Sequence, residues 1–150
     1  MNETVQDPEF HLAPELKRDT LALGELPLCR ILLMNDKHFP WIILVPRRAG
    51  ASEMFDLCDR DQHQLMREIA ATGRALQTVY QPTKVNIGAL GNIVRQLHIH
   101  VIARFEGDAA WPGPVWGALK AQAYPGSAPG YADVVGQRIL EAILIAYRAD

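Results

Sequence analysis

Cysteine is scarce in this chain: its 150 residues include only Cys29 and Cys58. The two thiols are not closely spaced and have no third or fourth partner, which argues against a zinc cage. Long apolar runs are also missing, so no membrane span is expected. Residues 1–10 are polar and acidic with no apolar signal core. A reducing cytoplasm is the expected compartment. Positive charge is not in excess either. Fifteen Lys and Arg stand against 17 Asp and Glu, for a formal net charge of −2. No broad nucleic-acid-binding field follows from that balance, although a local pocket can still suit a small phosphorylated ligand. There is no internal repeat and no low-complexity tract. What remains is an ordinary globular composition, 49% apolar and 21% charged, long enough for one domain over residues 1–150 with a proper core.

Along the chain, residues 1–15 read as a loose arm with short contacts at Phe10 and Leu12. Residues 19–24 read as a short strand ended by Gly24. Residues 28–34 and 40–46 are apolar runs separated by the turn pair Asn35-Asp36, and together predict an antiparallel hairpin. Ser52 and Glu53 can start a short helix, and Asp59 looks like the N-cap of a longer one. In that helix Leu65, Ile69, Thr72, Leu76, Val79 and Tyr80 recur at three- and four-residue steps. It should stop near Gln81-Pro82, because proline disfavours helix in the residue before it. Residues 84–89 and 97–105 read as strands joined by a loop at Gly91-Asn92. Residues 107–130 are rich in Pro, Gly, Trp and Ala, with room for one helical turn around 115–121. A last helix is expected over 131–148. Strands, helix, strands, helix is the order of an α+β fold with a mainly antiparallel sheet.

The chemistry sits in Arg95-Gln96-Leu97-His98-Ile99-His100-Val101-Ile102. Gln96, His98 and His100 alternate with apolar residues at period two, so a strand would present them in one row. Leu97, Ile99, Val101 and Ile102 would enter a core. Three readings stay open. The histidines can be locally satisfied residues on a half-buried strand. They can be two ligands of a metal, with His11, His38, His63, Asp36 or Glu106 as a third. Or one can be a nucleophile toward phosphorus: a neutral imidazole is available near pH 7, and flanking donors can hold the non-bridging oxygens.

The stretch Gln96-Leu97-His98-Ile99-His100-Val101-Ile102 resembles the histidine triad family, whose signature is His-φ-His-φ-His-φ-φ with φ apolar. The lead-in Gly91-Asn92-Ile93-Val94-Arg95 is similar to the family's Gly-Gln-x-Val-x. The strand ending at Asn35, the strand ending at Pro46-Arg47 and the helix between hairpin and motif also fit. The resemblance spans about residues 20–105. It implies a five-stranded antiparallel sheet with one long helix, a core over about 10–106 and a C-terminal helical extension over 107–150. A homodimer that extends the sheet is also implied.

By position, the resemblance makes His98 the nucleophile, His100 a phosphate contact, and Gln96 the stand-in for the first histidine on the leaving-group side. Asn92 and Ile93 would lie on the substrate side of the lead-in, Asn35 near the ribose, and Leu26 and Leu33 in a nucleoside pocket. Trp41 falls where many members carry a fourth histidine, and a backbone carbonyl can hold the nucleophile's Nδ1–H instead. Trp111 and Trp116 are candidates to cover the site or to anchor packing. The implied activity is cleavage of a nucleoside phosphoanhydride or phosphoramidate through a nucleotidyl-His98 intermediate, with no cofactor and no metal in the covalent step. The alternatives are a nucleotide-binding module with weak or no turnover, and a metal-dependent enzyme using His98 and His100.

Overall fold

The computed structural model describes residues 6–126 and 131–149. The start of the expected arm (1–5) and the end of the Pro/Gly segment (127–130) lie outside the described residues. The elements are α1 (Pro14–Asp19), β1 (Thr20–Glu25), β2 (Cys29–Met34), β3 (Trp41–Pro46), a 3-10 turn (Met54–Asp56), α2 (Asp59–Tyr80), β4 (Lys84–Gly88), β5 (Ile99–Arg104) and α3 (Tyr131–Arg148). The five strands form one sheet in the order β1-β2-β3-β5-β4, every neighbouring pair antiparallel. This is the α+β architecture that the order of elements predicted.

Two apolar layers sandwich the sheet. On one face α2 and α3 cover Ile31, Leu33, Ile42, Leu44, Ile99 and Val101. On the other, α1, the arm and part of segment 107–126 cover Leu32, Trp41, Ile43, Val45 and Ile102. All six residues of β3 are consequently buried. A strand buried on both sides loses the polar/apolar alternation that marks a half-exposed one, which is why 40–46 reads as a continuous apolar run.

Helix α2 buries Leu65, Ile69, Thr72 and Leu76, as the spacing predicted, together with Asp61 and Glu68. The Glu68 carboxylate accepts the backbone N–H of Leu28 (2.7 Å) and Cys29 (2.8 Å), so a helix side chain completes the β1–β2 turn. Gln81 caps α2 in the left-handed region at φ 50°, and Pro82 follows. Gly136 lets α3 lie close on β1, because a Cβ there would meet Leu23 Cδ2 at 2.6 Å.

Several expectations shift. Residues 14–19 form a helix that takes in the end of the expected arm (14–15) and the first residue of the expected strand (19); at six residues, α1 is too short for a periodic signal. Strand β5 begins at Ile99, and Gln96 sits on a bend ahead of it. Ile102 turns away from Ile99 and Val101, into the second apolar layer. No helix forms over 115–121, where a single turn closes from the Ala118 N–H to the Val115 carbonyl. Residues 121–124 are tied to the β2–β3 turn: the Asn35 Oδ1 accepts the Tyr124 N–H at 2.9 Å, and Asp36 accepts that of Gln122 at 3.3 Å. Among the described residues no helix is long and apolar enough to cross a membrane.

Candidate active site

Pairing of β5 with β3 sets the site. His100 stands opposite Ile43, and Ile102 opposite Trp41. With Ile99, Val101 and Ala103 turned to the helices, strand alternation sends His100, Ile102 and Arg104 to the other face, and His98, just ahead of the strand, packs against His100 there. His98 and His100 are each 7% exposed. Their rings meet edge to face, with centroids 4.9 Å apart.

The hydrogen bonds fix both tautomers. His98 Nδ1 lies 2.6 Å from the Gln96 carbonyl oxygen. A carbonyl only accepts, so Nδ1 carries a proton, and in the neutral ring the lone pair is on Nε2. Trp41 Nε1 lies 3.0 Å from His100 Nδ1. An indole only donates, so His100 Nδ1 is unprotonated and its Nε2 carries the N–H. The two imidazoles thus have opposite tautomers. Burial, and then the neighbouring His98, push the pKa of His100 down to about 4, so it is a neutral donor at physiological pH.

His98 lines a cleft of about 380 Å³, walled by Met34, Asp36, Trp41, Leu90, Asn92, Ile93, Val115, Trp116 and Leu119 among others. Behind it His98 also borders a narrow cavity of about 70 Å³ with Ser52, Glu53 and Gln96. Trp116 packs edge to face on His100 (5.3 Å) and on Trp41 (6.5 Å). Its Nε1 is buried and makes no hydrogen bond among the described residues. Gly88 permits this packing, since a Cβ there would lie 2.9 Å from Trp116 Cη2. Next to the site, buried Arg104 grips Asp108 with two bonds and Asn86 with a third. The Arg104 guanidinium holds the Asp108 carboxyl well below the usual range, at about 2. Arg104 also lies over the rings of Phe39 and Trp111, so Trp111 anchors packing while Trp116 borders the cleft.

The sequence-derived candidates separate. His98, Asn92 and Ile93 meet at the cleft; His100 lies behind Trp116 and Trp41. Gln96 borders the narrow cavity, but its carboxamide is engaged by the arm: Oε1 accepts the Ala13 N–H (2.8 Å) and Nε2 donates to the His11 carbonyl (2.7 Å). Leu26 and Leu33 are not cleft residues. Both are buried in the layer under α2 and α3, and Met34, one position along, reaches the cleft instead. A one-residue slip in strand parity exchanges the faces. Asn35 also does not line the cleft, its side chain being spent on Tyr124. Asp36, which does line it, pairs with His38 Nδ1 at 2.6 Å. The sequence reading missed Met34 and Asp36 as cleft residues, and nothing local in the sequence marks them.

As metal ligands, His98 and His100 would have only their Nε2 atoms left, both Nδ1 being engaged. Among the described residues no three His, Cys, Asp or Glu side chains gather where they could hold an ion.

A histidine triad (HIT) protein from Sinorhizobium meliloti 1021 superimposes with a TM-score of 0.85 at 48% identity, covering 89% of this chain and 96% of that one. One from Bradyrhizobium japonicum gives 0.82 at 44% identity, covering 93% and 98%. Among curated proteins, an AP-4-A phosphorylase of Mycobacterium tuberculosis is 34% identical over 74 residues, 45% of this chain and 37% of the phosphorylase. The aligned part is thus little more than a third of that relative's length. The HIT domain model itself matches residues 15–107, from the start of α1 to just past β5. The match takes in every strand and both histidines, and the chain belongs to the HIT domain family.

Proposed function

We propose that this chain is a nucleotide hydrolase or transferase in which His98 Nε2 attacks the α-phosphorus of a nucleoside phosphoanhydride or phosphoramidate. The observation that carries this reading is the pair of opposite tautomers: a lone pair on His98 at the cleft, and an N–H on His100 beside it. In the first step a P–N bond forms and the bond from phosphorus to the leaving group breaks. The departing group takes the electron pair. The Gln96 carbonyl steadies the charged imidazole through Nδ1–H. The His100 Nε2–H, neutral because of burial, donates to a non-bridging oxygen without becoming an acid. In the second step water, or another acceptor hydroxyl, attacks phosphorus and releases its proton to solvent; the P–N bond breaks and His98 recovers its lone pair.

Gln96 stands where the family's first histidine is expected, and Trp41 where a further one often is. Neither side chain can carry a proton as a cation at neutral pH. A leaving group that is stable as an anion, such as a polyphosphate, therefore suits the site best. The partial match to an AP-4-A phosphorylase supports a dinucleoside polyphosphate among such substrates. The apolar cleft beside Asn92 and Ile93 suits a nucleoside. β4 is an edge strand, and exposed Ile87 lies on it, which supports a homodimer that continues the sheet.

The test is a panel of adenylated phosphoanhydrides and phosphoramidates, offered with and without chelator, beside His98→Ala. Turnover that survives chelator, disappears in the variant and leaves a P–N adduct on His98 that persists in alkaline denaturant but is lost in acid supports the reading. Binding without turnover in the parent would make the chain a nucleotide-binding module. Loss of turnover with chelator would make it a metal enzyme.

A further inference from the structure

Residue 96 touches two things at once. Its main-chain carbonyl holds the His98 Nδ1–H at 2.6 Å. Its side chain forms a two-point bridge to the arm, accepting from the Ala13 N–H and donating to the His11 carbonyl. A carboxamide presents a donor and an acceptor side by side, matching an extended backbone; the two nitrogens of an imidazole point away from each other. The arm is itself fixed on both sides of this bridge. Asp7 accepts the Ala49 N–H at 2.8 Å, and Arg30 lies over the Phe10 ring. Beyond Ala13, α1 buries Leu16 in the same apolar layer as Trp41. Neither end of the bridge is a swinging loop.

We infer that Gln96 is a positioning residue: by clamping residues 11–13 with its side chain, it holds its own carbonyl in line with the His98 Nδ1–H and so keeps the attacking nitrogen unprotonated. This rests on the proposed role of His98. The Leu97 N–H, on the same peptide unit as the Gln96 carbonyl, donates to the Ala51 carbonyl at 3.0 Å, so without the clamp that unit keeps one anchor and can pivot about it; the carbonyl then moves off the imidazole, and His98 can take the other tautomer, with its proton on Nε2. That tautomer cannot attack. The clamp also gives a reason for glutamine, rather than histidine, at this position.

The test uses the full chain, Gln96→Met and Ala13→Pro. Methionine keeps the length of the side chain without its polar pair. Proline removes the Ala13 N–H from the opposite side, and Ala13 already has a compatible φ of −54°. The first readout is nitrogen NMR of labelled histidine, which reports the His98 tautomer whether or not the protein turns over any substrate. The parent is expected to show one tautomer, protonated at Nδ1, and both variants a mixture. The second readout is kinetic: kcat should fall roughly tenfold to a hundredfold with KM little changed. A His98 that stays wholly Nδ1-protonated in both variants overturns the inference, as does a pure KM effect. A parent with no turnover would sink the catalytic reading alone, and the tautomer readout would still decide the role of the clamp.

Discussion

Trp41 and His100 are joined across β3 and β5 by a single bond, from indole N–H to imidazole Nδ1, at 3.0 Å. Both side chains are nearly out of contact with water. The bond therefore matters for more than packing: it decides which nitrogen of His100 carries a proton. Trp41→Phe keeps an aromatic ring but removes the donor, leaving a buried acceptor unmet at a cost of about 1–3 kcal/mol. Urea denaturation should show that loss. Turnover should fall with it, because His100 can then place its proton on Nδ1. A variant that loses stability but keeps full kcat would show that the His100 tautomer does not matter to the reaction.

Stability should depend on pH in a window set by His100. Its ordinary pKa of 6.5 falls to about 4 in the folded chain, first through burial and then through His98. Below pH 6.5 the unfolded chain takes up a proton that the folded chain refuses until about pH 4. The unfolded state binds more protons there, so stability falls as the pH drops, by about 3 kcal/mol across the window. Asp108, held at about 2 by Arg104 instead of 3.8, acts lower down; its contribution is present above 3.8 and is lost as pH falls toward 2. Urea midpoints measured at about pH 7 and about pH 4.5 should separate more for the parent than for His100→Gln. Equal separations would refute the His100 assignment.

Gly88→Ala probes the cleft wall. The new methyl would lie 2.9 Å from Trp116 Cη2, and Trp116 sits on a segment without regular structure. The ring is expected to yield, changing tryptophan emission and raising KM several-fold, while the urea midpoint moves little. An unaltered KM despite shifted emission would mean that Trp116 does not meet the substrate.

The His-x-His row was legible because strand periodicity needs only a few residues, and its polar members stood out against Leu97, Ile99 and Val101. The orientation of β2 was not. Both faces of the sheet are covered, so Leu32, Leu33 and Met34 look alike in sequence although they point alternately toward cleft and helices. Leu33 was read as a cleft residue for that reason. Asn35 was legible as a turn residue, but its side chain serves Tyr124, 89 positions away, a pairing that no local pattern records. Gln96 showed the same blindness. Its chemistry as donor and acceptor was plain, but its partners in residues 11–13 lie 83 and 85 positions back.

The two apolar layers divide labour. Helices α2 and α3 close the larger one, on the face of the sheet away from Trp41; the smaller one holds Trp41 and is closed by α1, the arm and the 107–126 segment. Mutational drift on the smaller side can reshape what the cleft accepts while the helical side keeps the scaffold folded. Diversification among proteins built on this sheet should therefore concentrate in the arm, α1 and the segment after the motif strand.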